Sequence, residues 1–149
     1  MKAPITLLGL AGILVFGVTA SLTLLPAQAA SVAPSPEAQL ERGRYLVLRT
    51  GLCTDCHSPR NERGELIESR QLMGAPIPFA PTVPMPWMPV APRLAGLPAG
   101  FNEEQMIHFL MTGERPNGRG QPLPPMPPFR FDHDDATAIA AFLRSLPAK

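Results

Sequence analysis

The sequence has 149 residues with a formal net charge of +1, and 20 prolines and 12 glycines stand against one tryptophan and one tyrosine. With an N-terminal segment of roughly thirty residues set apart, the length allows one domain of about 100 to 120 residues. Without Lys2 the rest is formally neutral, which excludes nucleic acid as a partner and strong electrostatic steering, and the proline and glycine content excludes a strand-rich architecture.

Met1 and Lys2 lead into an uncharged apolar run from Ile5 to Leu25, followed by Pro26-Ala27-Gln28-Ala29-Ala30. A positive start, an apolar middle and small residues at a cleavage position are the parts of a secretory signal, cut after Ala29. The run also approaches the roughly 20 residues that span a bilayer, so a retained membrane anchor over residues 5–25 is the alternative. Residues 1–29 are therefore read as an export signal, 30–36 as a linker and 37–149 as the folded domain. Either way the domain is expected in the periplasm or another extracytoplasmic space.

Ser35-Pro36 predicts a helix start, a capping hydroxyl followed by proline at the first helical position. From Pro36 to about Leu48 the spacing of Leu40, Gly43, Leu46 and Val47 places them on one face. Glycine inside a helix costs about 1 kcal/mol against alanine, so Gly43 marks a close approach by another element. Thr50-Gly51 ends this helix just before Cys53-Thr54-Asp55-Cys56-His57.

That pentapeptide has the Cys-x-x-Cys-His spacing at which two thiols reach the two vinyl groups of one haem while the adjacent imidazole reaches its iron. Both cysteines of the chain are then consumed by thioethers, leaving no disulfide. The other readings are a thioredoxin-like dithiol, which wants a βαβ pattern absent here, and half a zinc site, for which His108 and His133 are the remaining histidines. A second axial group is sought among the methionines. Met126 stands in Pro124-Pro125-Met126-Pro127-Pro128, and Met85 has a similar Pro-Met-Pro context.

After Ser58-Pro59 the polar stretch to Gln71 reads as surface loop, with room for a short strand or turn. From Gly74 to Pro98 the prolines at 76, 78, 81, 84, 86, 89 and 92 forbid a helix or a central strand and favour an extended path. This apolar, uncharged stretch is expected to wrap the haem, with Trp87 packing inside it or reaching a propionate. Asn102-Glu103-Glu104-Gln105 is a capping box opening a helix to about Met111, with Met106, Ile107 and Leu110 inward and Gly113 as its stop. Asp132 caps the last helix, which has acidic residues in its first turn. Ala136, Ile139, Ala140, Phe142 and Leu143 form its buried face, and Pro147 closes it. Three helices without a confident strand make an all-α domain.

Taken together, Gly43-Arg44-Tyr45-Leu46 before the Cys-x-x-Cys-His motif, Pro92-Arg93-Leu94, Thr112-Gly113, Pro125-Met126-Pro127 and the closing Phe142-Leu143-Arg144-Ser145-Leu146-Pro147 resemble the class I c-type cytochromes over about residues 37–146. The resemblance implies the cytochrome c fold, three main helices and long loops around one covalent haem c attached through Cys53 and Cys56. His57 and Met126 are then the axial iron ligands, Met126 lying 69 residues after His57 and six before the Asp132 cap. It also implies that the first and last helices cross at Gly43 beside Phe142, and that the Pro92 carbonyl takes a hydrogen bond from His57. The 34 residues between His57 and Pro92 exceed the compact members of the family. The function expected is single-electron transfer between redox partner proteins, as a free carrier or as a subunit of a dehydrogenase or oxidase, and not catalysis by the chain itself. The alternative is a haem-based gas sensor or peroxidase-like enzyme with a labile sixth site.

Overall fold

The structure, a computed structural model, describes residues 33–148. The export signal and the alternative anchor over 5–25 lie outside the described residues. Ser35 caps α1 (Pro36–Tyr45): its hydroxyl accepts the Ala38 N–H at 3.2 Å, with Pro36 in the first turn. The chain then departs from a simple α-helix to Leu48. It widens into a π-helical turn over Leu46–Thr50, closed where the Gly51 N–H donates to the Leu46 carbonyl at 2.7 Å. Of the expected inward face, Gly43, Leu46 and Val47 are buried, whereas Leu40, one turn before the close contact at Gly43, is 37% exposed.

Leu52, in the left-handed region at φ 51°, turns the chain into the short helix α2 (Cys53–His57). Ser58 and Pro59 are buried, and from Arg60 to Gln71 the chain forms the surface loop expected, held by a bridge between Arg60 and Leu66 and a 3-10 turn over Glu68–Arg70. The next residue is not surface. Leu72 is fully buried at φ 62°, its N–H donating to the buried Ser58 hydroxyl at 2.9 Å and its carbonyl accepting from Leu94 and Ala95.

β1 (Ala75–Pro76) and β2 (Val90–Ala91) pair antiparallel, Ala75 opposite Ala91, where the composition had suggested no strand. A two-stranded ribbon has only edges, so Pro76 need not break a ladder on both sides. Between them the middle of the segment extends outward, with Phe79, Val83 and Met85 exposed.

The capping box of α3 (Glu103–Thr112) is complete, the Asn102 side chain accepting the Gln105 N–H at 2.8 Å and the Gln105 side chain accepting the Asn102 N–H at 3.0 Å. Gly113 stops it at φ 77°. Met106 and Leu110 are buried as expected; Phe109 is buried with them, and Ile107 is only half-buried. Asp132 caps α4 (His133–Ser145) by accepting the Asp135 N–H at 2.8 Å.

α1 and α4 cross where an ideal Cβ on Gly43 would overlap the Ala138 carbonyl and lie 2.8 Å from Phe142 Cβ. The absence of a side chain at residue 43 lets the two backbones meet. Arg42 reaches across the crossing to Asp135 through two hydrogen bonds of 2.8 and 2.9 Å. The core joins Leu46 and Val47, Leu72, Leu94 to Leu97, α3 and α4 into one cluster, with Met126 and Cys53 packed at its margin. Among the described residues no helix is long and apolar enough to cross a membrane.

Candidate functional site

Helix α2 is so short that its placement comes from its neighbours rather than from its own hydrogen bonds. Gly74 donates its N–H to the His57 carbonyl at 2.8 Å. His57 is 5% exposed, and its Nδ1 lies 2.7 Å from the Pro92 carbonyl. A carbonyl can only accept, so Nδ1 carries the proton and Nε2 keeps its lone pair. The acceptor implied at Pro92 is thus in place. Burial lowers the pKa of His57, and the Pro92 hydrogen bond opposes that effect. The ring is therefore neutral at neutral pH, the form that binds a metal.

Both cysteines are half-buried on the same turn. Burial pushes the Cys53 thiol up to about 11, with a smaller raising effect from Cys56 and a backbone hydrogen bond working the other way. Such a thiol is largely protonated at neutral pH, unlike the activated thiolate of a dithiol oxidoreductase. Among the described residues no three His, Cys, Asp or Glu side chains gather into a metal-holding group, which a zinc reading of the motif would require.

A cavity of about 360 Å³ opens beside the motif, and Cys53, Cys56, His57, Met126, Pro127 and Phe129 are among the residues that border it. A second, of about 250 Å³, continues toward α3 and α4 past Phe101, Phe109 and Leu143. Cys53, Met88, Pro92, Met126 and Phe129 border both, so the two form one apolar cleft. His57 and Met126 line a shared cavity together with Cys53 and Cys56. That donor set, in walls of proline, leucine and phenylalanine, fits a large flat apolar group carrying an iron.

The structure also sorts the other candidates. Met85 is 43% exposed and borders neither cavity, Met106, buried within α3, borders the second, and Met88 and Met126 border both. His108 and His133 are exposed, each beside a carboxylate, Glu114 at 3.7 Å and Asp134 at 3.6 Å. Trp87 packs edge-on against Phe79 at 5.7 Å and does not border the cleft. The proline-rich segment wraps the cavity only in part: Ile77, Met88, Ala91 and Pro92 line it, while its middle points to solvent. Sequence reasoning missed Arg115 and Arg119, whose side chains border the second cavity among apolar neighbours. The Gly-Pro composition around them gave no sign of it, because their position depends on how the 114–121 loop folds back.

A protein-family model described as cytochrome c matches residues 40–147. A diheme cytochrome c-type protein of Cereibacter sphaeroides is 34% identical over 112 residues, which cover 72% of this chain and 36% of that protein. The fructose dehydrogenase cytochrome subunit of Gluconobacter japonicus is 31% identical over 119 residues, covering 72% of this chain and 22% of that protein. The chain spans about a third of the first of these curated relatives and about a fifth of the second.

Proposed function

We propose, because the chain belongs to the cytochrome c family, that it transfers single electrons through one haem c bound by thioethers at Cys53 and Cys56, with His57 and Met126 as the axial iron ligands. The observation that supports this reading is the shared cleft, whose lining includes both His57, its Nδ1–H committed to Pro92, and Met126. The bound haem supplies the redox chemistry, cycling between ferric and ferrous. What the chain contributes is position and environment. Pro92 orients the His57 ring, and the apolar walls exclude water. The guanidinium groups of Arg115 and Arg119 complement the carboxylates that a haem carries. A thioether ligand in an apolar pocket favours the ferrous state, so the potential lies toward the positive side of the haem range.

If His57 and Met126 both hold the iron, no substrate would reach it, and transfer would be outer-sphere to redox partner proteins. A relative named as the cytochrome subunit of fructose dehydrogenase supports a role as the electron-transfer part of a larger oxidoreductase, exported from the cytoplasm. The Cys-x-x-Cys-His motif occurs once in the sequence, which supports a single haem per chain of this length. The test is the absorption spectrum of the haem-loaded protein, oxidised and reduced, with and without carbon monoxide, beside that of Met126→Ala. The wild type is expected to be six-coordinate and inert to carbon monoxide and the variant to bind it. A wild type that binds carbon monoxide unaided would overturn this assignment in favour of the sensor or peroxidase-like reading.

A further inference from the structure

We propose that the segment 74–92 is a strap that positions the Met126 thioether, with the backbone N–H of Met88 as its contact on the Met126 loop; this rests on the assignment of His57 and Met126 as axial ligands. The segment is tied both to His57 and to the Met126 loop. At its base the Gly74 N–H donates to the His57 carbonyl at 2.8 Å, and the Pro92 carbonyl accepts from His57 Nδ1 at 2.7 Å. Further out, the Met88 N–H donates to the Pro124 carbonyl at 2.8 Å, two residues before Met126. One continuous piece of chain thereby links the loop bearing the imidazole to the loop bearing the thioether.

The strap is built to hold its shape. Ala75 pairs with Ala91, and the Ile77 N–H donates to the Pro89 carbonyl at 2.9 Å. Gly74, at φ 84°, admits the close return of the chain, since a Cβ there would lie 2.9 Å from both the Ala91 carbonyl oxygen and the Arg93 nitrogen. The prolines between these ties have fixed φ and little conformational freedom to lose on folding. Phe79 and Trp87 close the outer part edge to face. The strap thus lowers the entropy of the Met126 loop and keeps its sulfur from leaving the iron.

Because the Met88 side chain itself borders the cleft, the test separates its sulfur from its N–H. Carbon monoxide binding to the ferrous, haem-loaded full chain is compared in the wild type, Met88→Pro, Met88→Leu and Met126→Ala. Loss of one hydrogen bond to the loop should speed binding in Met88→Pro by about three- to tenfold, while Met88→Leu, which keeps the N–H and alters only the side chain bordering the cleft, should change the rate less than Met88→Pro does. A Met88→Pro rate equal to wild type, or a Met88→Leu rate equal to Met88→Pro, overturns the strap while leaving the ligand assignment standing. A wild type as reactive as Met126→Ala overturns the ligand assignment, and the strap with it. Amide hydrogen exchange gives a reading that does not depend on the proline variant folding. The Met88 amide should be protected in the wild type and exchange about tenfold faster in Met126→Ala, because a hydrogen bond that steadies the ligand is steadied by it in return. Equal protection in the two proteins refutes the coupling.

Discussion

Replacing Gly43 by alanine sets two opposing effects against each other. In an isolated helix the change is favourable by about 1 kcal/mol, since alanine loses less backbone entropy. Here the new methyl would meet the Ala138 carbonyl carbon at 2.6 Å and Phe142 Cβ at 2.8 Å. Overpacking of a close contact typically costs about 1 to 3 kcal/mol. The obstacle is backbone of α4, which cannot rotate away as a side-chain tip would, so the upper part of that range applies. The net loss is then about 2 kcal/mol, equivalent to about 8 to 16 °C in Tm for a domain near 100 residues. Guanidinium unfolding of the haem-loaded protein, followed by haem absorbance and by far-ultraviolet circular dichroism, measures it. A Gly43→Ala protein as stable as the wild type, or more so, would mean that α1 and α4 do not meet backbone to backbone.

Ser58→Ala should cost about 1 to 3 kcal/mol, because it leaves the N–H of fully buried Leu72 without its acceptor; chemical unfolding checks it, and no change would place water or another group on that N–H. Gly113→Ala should destabilise by at least about 1 kcal/mol, since φ there is 77° and the added Cβ would lie 2.8 Å from Pro128 Cβ; thermal unfolding reads it. Replacing Cys53 and Cys56 together by alanine should abolish haem staining of the denatured chain, and staining that persists would refute thioether attachment at these residues. The Arg42–Asp135 bridge joins an exposed arginine of α1 to a partly buried carboxylate in the first turn of α4. Its contribution should shrink with added salt, measured as a double-mutant cycle at low and high ionic strength.

Helix boundaries were legible because their chemistry is local. Ser35, Asn102 and Asp132 each bond to a backbone N–H three residues ahead, a contact that no other part of the chain has to supply. Gly113 ends α3 for the same reason. Leu72 was not legible: it closes a polar stretch, and its burial depends on Ser58 and on Leu94, 14 and 22 residues away. The β1–β2 pair and the outward path of the chain midway between the two strands were hidden likewise, since proline density tells what a segment cannot be and leaves open what it touches.

The sequence by itself determined the chemistry offered: two thiols and an imidazole within five residues, capped helices, and a methionine set between prolines. Each of these is written in residues within one or two turns of one another, where spacing dictates geometry. Tertiary structure decided which methionines and which arginines border the cleft, and that the Met88 N–H meets the Pro124 carbonyl. Those choices join residues tens of positions apart. They are settled by the packing of helices and loops against one another, and the spacing of residues along the chain carries no record of that packing.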